Sequence, residues 1–291
     1  MIAESVESVL EKIRDINKVI REGNIYDDEM ADFPFQKLVR YLAENLEANA
    51  YLVSVEGELL GYFAIYEEIN SERTEAMMQA HQLDPNYLDI ISPIQETKSN
   101  IPTSDDRTIL ALEFRDKFNK GMTTIIPIYG NTTKLGYLIL ARPYEDFNCY
   151  DLILGEYVGT VLAMEMVFIK RRRQEEKEQK KQVVDSAIRS LSYSELNALY
   201  VIFKDLEEPR TRITASKIAK EENITRSVIV NALRKMESAG VFTSRSLGMK
   251  GTHIDTQSKE NLEYLKKRLA EEVSSRTLSV SRTEDLSHHR T

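Results

Sequence analysis

Ser227, Asn231 and Arg234 are spaced so that an α-helix carries all three on one face, with Val230 and Lys235 flanking them. A hydroxyl, a carboxamide and a guanidinium presented together are groups that contact base edges and phosphates of duplex DNA. The opposite face of that helix carries Ile229, Ala232, Leu233 and Met236, an apolar set that requires a core to pack on. Thr225 is placed to cap the helix and Arg226 falls in its first turn. Just before it, Asn223 suits a sharp turn, because Asn tolerates the left-handed backbone, and Ile224 can plug that turn. An earlier helix, capped by Thr214 and opening with Ala215, Ser216 and Lys217, carries Ile218 and Ala219, and the small Ala219 lets a second helix cross closely. Two helices joined this way form a helix-turn-helix, and its contact set is Ala215, Ser216, Lys217, Thr225, Arg226, Ser227, Val230, Asn231, Arg234 and Lys235. Gly240 then ends the second helix, and "FTSRS" and "THID" flank "LGMKG". That pattern reads as a β-hairpin wing, with Arg245 and Lys250 toward a sugar–phosphate backbone.

Charge supports the same reading. From Pro209 to His253 there are nine Lys and Arg against three Glu, a net charge of +6. The whole 291-residue chain carries −8, so the remainder carries −14. An acidic body with one basic module directs only that module toward a polyanion.

These segments need elements to position them. Ser192 and Glu195 form a capping box ahead of Leu196, Leu199, Tyr200 and Phe203, a helix that gives the module a core. Upstream, the pattern is helical from about Asn148 to Arg189 and passes through "KRRRQEEKEQKKQ", a charge run that reads as the solvated face of a linker helix. The first half reads as a helix over 2–22, a helix over 33–47, and a hairpin turning at Glu56-Gly57-Glu58. Helical segments at 70–82 and "DPNYLDII" follow, then a loop over 96–106 and a helical or mixed stretch over 107–120. A second hairpin turns at "GNTT". The fold class is therefore α+β: an N-terminal GAF- or PAS-like sensor domain with an antiparallel sheet and helices, a long helical linker, and a C-terminal winged helix-turn-helix. The expected bounds are 1–168 for the sensor, 169–190 for the linker, 191–256 for the winged helix and 257–291 for a polar, partly disordered tail.

Several chemistries find no support. Cys149 is the single cysteine, which fits a reducing cytoplasm, and four His do not make a Cys/His metal site. The N-terminus is no secretory signal, and no apolar run reads as a bilayer span. There is no nucleophile–base set and no Walker A loop, and the adjacent acids Glu67 and Glu68 read as strand surface. No covalent cofactor and no enzyme activity are expected.

"RSLSYSEL", "ASKIA", "ITRSVIVNALRK", "ESAGV" and "SRSLGMKGT" closely resemble the CodY family of nutrient-responsive transcription regulators. Weaker similarity runs through "GELLGY", "TTIIPI", "LGYLIL" and "DLILGEY", so the resemblance covers most of the chain to about residue 255. It implies a GAF domain that binds branched-chain amino acids, chiefly isoleucine, GTP as a second effector in many members, a homodimer or higher homo-oligomer, and operator DNA as partner. It also implies that effectors raise DNA binding and that genes of amino-acid supply are then repressed. By the same resemblance, Arg73 takes the position that holds the amino-acid carboxylate, for which a guanidinium fork is well suited. Met77, Tyr87 and Thr108 take ligand positions unchanged. Thr74 replaces a Met, Leu83 falls where "Q-F-P" is usual, and Leu110, Ala111 and Leu112 stand where "T-A-F-P-V" is usual. Against the family pattern, those departures mean that the aromatic pocket wall is lost or rebuilt. Two alternatives follow from the residues: a scaffold whose winged helix binds protein, and a diverged sensor that answers to another small molecule. Without the resemblance, Arg73 reads as a solvated or paired cation and Met77 as core.

Overall fold

The computed structural model describes residues 6–21, 34–110, 116–248 and 251–287. The chain divides into two compact units, Met1–Lys170 and Arg171–Thr291. In the first unit, helices α1 (Val6–Arg21) and α2 (Gln36–Leu46) precede strands β1 (Asn49–Ser54) and β2 (Leu59–Phe63). Helices α3 (Glu72–Ala80) and α4 (Pro85–Ile91) come next, followed by β3 (Lys98–Pro102), β4 (Met122–Gly130), β5 (Thr133–Arg142) and helix α5 (Cys149–Arg189). The strands form one antiparallel sheet in the order β2-β1-β5-β4-β3.

Period-two alternation gives that sheet two apolar faces. Ala50, Leu52, Ile126, Ile128, Leu138 and Leu140 share a core cluster with α2 (Leu38, Leu42, Leu46) and α5 (Leu154, Val158, Leu162). Tyr51, Val53, Ile125, Tyr137 and Ile139 share a second cluster with residues of α3, α4 and the following loops. A buried ion pair joins the end of β5 to α5: Arg142 Nη1 lies 2.9 Å from Asp151 Oδ2, and the Arg142 guanidinium also donates to the Leu46 carbonyl.

Four expectations for this unit are corrected. The stretch 96–106 contains the strand β3, whose alternation is hidden by an irregularity between Lys98 and Ile101 and by Asn100 at φ 53°. The Asn100 side chain is used structurally, accepting from Phe147 N and donating to Phe147 O. Of the helical or mixed stretch expected over 107–120, the described residues carry turns, bends and irregular backbone and no helix. Glu67 and Glu68 lie in a short 3-10 turn, not on a strand. Finally, α5 is long and apolar enough to cross a membrane by length and composition, although no such run was expected. One such helix is weak evidence for a span, and its Leu154, Val158 and Leu162 are buried in the protein core instead.

The second unit begins with the last turns of α5. It continues through α6 (Tyr193–Phe203), β6 (Arg210–Ile213), α7 (Ala215–Glu221), α8 (Arg226–Ser238), β7 (Thr243–Ser246), β8 (Thr252–Asp255) and α9 (Lys259–Ser287). Its sheet has the order β6-β8-β7, one strand more than the expected hairpin. One core unites Val184, Ala187 and Ile188 of α5 with Leu199 and Phe203 of α6, Ile229 and Met236 of α8, Phe242, and Ile254 of β8. Leu262, Leu265 and Leu269 of α9 complete it, so the expected polar tail is, in its described part, a helix that closes the core. Burial of each such leucine contributes roughly 1.5–3 kcal/mol.

Candidate nucleic-acid interface and effector pocket

The helix-turn-helix is held from behind by caps and one ion pair. Ser192 Oγ accepts from Glu195 N while the Glu195 carboxylate accepts from Ser192 N, the expected capping box. The same carboxylate lies 2.8 Å from Lys235 Nζ and so anchors α8 to α6. The Lys235 ammonium, followed by the Ser192 N–H and hydroxyl, holds the Glu195 carboxyl below its ordinary 4.5. Asn223 takes φ 53° between α7 and α8, as its residue type suggested. Gly240, at φ 78°, ends α8, and Val241 N donates back to Met236 O. Thr214 and Thr225 occupy the two N-cap positions, but neither hydroxyl makes a capping hydrogen bond; Thr225 Oγ1 lies 3.2 Å from Ser227 Oγ.

On α8 the faces separate as the spacing predicts. Ile229, Ala232, Leu233 and Met236 are buried, while Arg226, Ser227, Asn231 and Arg234 are exposed and Val230 is partly so. The cations of this unit differ in what they are free to do. Lys217 lies 3.8 Å from Glu221, Arg210 pairs with Asp255 at 3.0 Å, and Lys235 pairs with Glu195. Arg212, Arg226, Arg234 and Arg245 form no ion pair among the described residues. Lys250 lies outside the described residues. Arg212 was missing from the sequence-based contact set, because "RTRI" is too short to announce a strand.

In the first unit, Met77, Leu83, Tyr87 and Leu110 are all buried in the apolar cluster beneath the sheet. Thr74 and Thr108 are buried as well. Ser71 caps α3, its Oγ accepting from Thr74 N and lying 3.1 Å from Thr74 Oγ1. Arg73 lies in the first turn of that helix. Tyr87 O–H donates to Arg107 O at 2.8 Å, which ties α4 to the loop that carries Thr108. That loop is folded by Asp105, which accepts from both the backbone and the guanidinium of Arg107. These bonds hold the Asp105 carboxyl at about 2. Thr108 Oγ1 lies 2.9 Å from Thr123 Oγ1 of β4, and Leu110 N donates to Thr108 Oγ1. Ala111 and Leu112 lie outside the described residues. The buried hydroxyl of Thr123 went unnoticed in the sequence, although its alternation with Ile125 places both on one face of β4. Among the described residues no group of His, Cys, Asp and Glu is arranged to hold a metal.

A sheet-and-helix domain followed by a winged helix-turn-helix is the architecture of a transcription regulator with a sensor domain. The family model of the CodY GAF-like domain matches residues 8–190, and that of the CodY helix-turn-helix domain matches residues 209–268. A global transcriptional regulator CodY of Geobacillus sp. (strain WCH70) is 45% identical over 262 residues, covering 89% of this chain and 98% of the relative. The same-named regulator of Bacillus mycoides is 46% identical over 233 residues, or 80% of this chain and 90% of its own. Among solved structures, the cofactor-binding GAF domain of the nutrient sensor CodY from Clostridium difficile is 28% identical with a TM-score of 0.38, over 54% of this chain and 97% of that one. The chain belongs to the CodY family.

Proposed function

We propose that this protein is a cytoplasmic regulator, mainly a repressor, whose sensor domain binds a branched-chain amino acid, isoleucine first, and whose winged helix binds operator DNA as a homodimer. The proposed segments are a sensor over 1–168, a linker that begins at 169 and a DNA-binding domain that starts, earlier than the expected 191, with the last turns of α5, because Val184, Ala187 and Ile188 belong to its core. The observation that carries the effector reading is the cluster itself: Met77, Leu83, Tyr87 and Leu110 offer an apolar bed, and Thr74 and Thr108 offer hydroxyls beside it. Such a bed suits a short branched aliphatic side chain. Arg73, with Ala111 and Leu112, completes the proposed set, Arg73 taking the carboxylate. GTP is proposed as a second effector on family grounds. Effector binding shifts the regulator only as far as it prefers one state, so the ligand must favour the DNA-binding form.

Isothermal titration with isoleucine, valine and leucine tests this reading. Saturable heat with at least one of them is expected, together with its loss in Arg73→Ala. Silence from all three in a folded protein would mean that the sensor answers to another small molecule.

A further inference from the structure

The three strands of the wing sheet place Arg212, His253 and Arg245 directly opposite one another: Arg212 of β6 pairs with His253 of β8, which pairs in turn with Arg245 of β7. Cross-strand partners point to the same face, and neighbouring strands lie about 4.8 Å apart, so the row is roughly 10 Å long. Both arginines are exposed, and His253 between them is partly so. The other face of the same strands packs inward through Ile254. One step along the outer face, the carboxylate of Asp255 is taken up by Arg210 at 3.0 Å, and Thr243 stands opposite it. Asp255, the one acid of the described strands, also feels His253 but is held by Arg210, so neither Arg212 nor Arg245 has a carboxylate partner among the described residues.

The register is set by Gly251. It has φ 102°, and a Cβ there would run into the Ile213 carbonyl, so β8 can approach β6 closely only with glycine at this position. Ile213 pairs with Thr252, the next residue, which fixes Arg212 opposite His253.

We propose that Arg212, His253 and Arg245 form a phosphate-contacting track that lies along the backbone of the duplex read by α8. Arg212 supplies a contact equal to that of the wing arginine. The inference rests on the DNA-binding reading of this unit. A row of this length reaches more than one phosphate of a strand, and contacts of this kind add affinity without sequence preference. Each phosphate neutralised adds about 0.9 to the negative slope of log affinity against log salt.

The test is a salt series of anisotropy titrations of the full-length protein on a short random-sequence duplex. It compares wild type with Arg212→Gln, Arg212→Lys, Arg245→Gln and Arg226→Gln, each checked for an unchanged thermal midpoint. The expected result is a slope about one smaller in Arg212→Gln, an equal loss in Arg245→Gln, and a wild-type slope in Arg212→Lys. A wild-type slope in Arg212→Gln while Arg226→Gln loses slope would overturn the track and leave the DNA-binding reading standing. Absence of salt-dependent binding by the wild type would overturn both.

Discussion

The two units handle polar groups in opposite ways. In the sensor unit the polar atoms at the proposed site, Arg73 apart, are hydroxyls, and they are buried: Thr74, Thr108 and Thr123 each lie within hydrogen-bond reach of another hydroxyl or a backbone N–H. In the winged helix the groups that matter are cations, and they are exposed on a scaffold whose other face is apolar. A buried hydroxyl must be satisfied in the folded protein, so function and stability fall on the same atoms. An exposed arginine leaves the fold indifferent to its removal, so function can change alone. The sensor is constrained by its own packing, whereas the unpaired arginines of the DNA-binding face are constrained only by its partner, Lys235 with its Glu195 pair being the exception.

Substitutions can break or sharpen that contrast. The largest effect is expected from Asp151→Ala, which removes the buried carboxylate of Arg142 and leaves it only the exposed Glu145 at 3.9 Å. Breaking a buried pair from one side costs about 3–5 kcal/mol, and chemical denaturation should show the loss in the first unit. Tyr87→Phe is next. It removes the donor to Arg107 O inside the cluster, so a loss of about 1–2 kcal/mol in stability should accompany any weakening of effector binding. Equal stability in Tyr87→Phe and wild type would contradict the coupling of function and packing. Arg226→Ala probes the other side. Its operator affinity should fall while its unfolding free energy stays within about 0.5 kcal/mol of wild type. A matching drop in stability would erase the distinction.

The smallest effect concerns pH. The Glu195 carboxyl is held below its ordinary 4.5, chiefly by Lys235. A depressed carboxyl contributes stability that is fully present above the unfolded value and is lost as pH falls through the folded one. The stability difference between wild type and Glu195→Gln should therefore be constant from neutral pH down to about 5 and shrink below 4.5. A difference that grows toward acid would place the cause elsewhere than in the Lys235 pair.

The same contrast explains what the sequence disclosed. On α8 the 3.6-residue period separates Ile229 and Met236 from Ser227 and Asn231 without ambiguity, and Asn223 and Gly240 mark its ends. The residues of the proposed effector site come from three separated stretches, and once buried Met77, Leu83, Tyr87 and Leu110 share the chemistry of core residues. Only resemblance to a family singled out Met77 and Tyr87. β3 stayed hidden because its irregular residues, Ser99 and Asn100, interrupt the alternation, and Asn100 turns its amide to Phe147 instead. β6 stayed hidden because four residues carry too little pattern, and its partner β8 lies beyond both helices of the motif. The helix α9 reads as a polar tail in the sequence because its many charges mask Leu262, Leu265 and Leu269, which recur at helical spacing.

The last turns of α5 have a consequence for dissection of the chain. Val184, Ala187 and Ile188 are fully integrated into the core that also holds Phe203 and Leu269. A fragment cut at Ser190, where the capping box makes an inviting start, would leave that core open on one side and short of three apolar side chains. An autonomous DNA-binding fragment has to begin upstream of Val184 and retain at least Leu269. Its independent folding, followed by far-ultraviolet dichroism as the start point is moved across Val184, would locate the true edge of the domain inside a helix that looks uninterrupted.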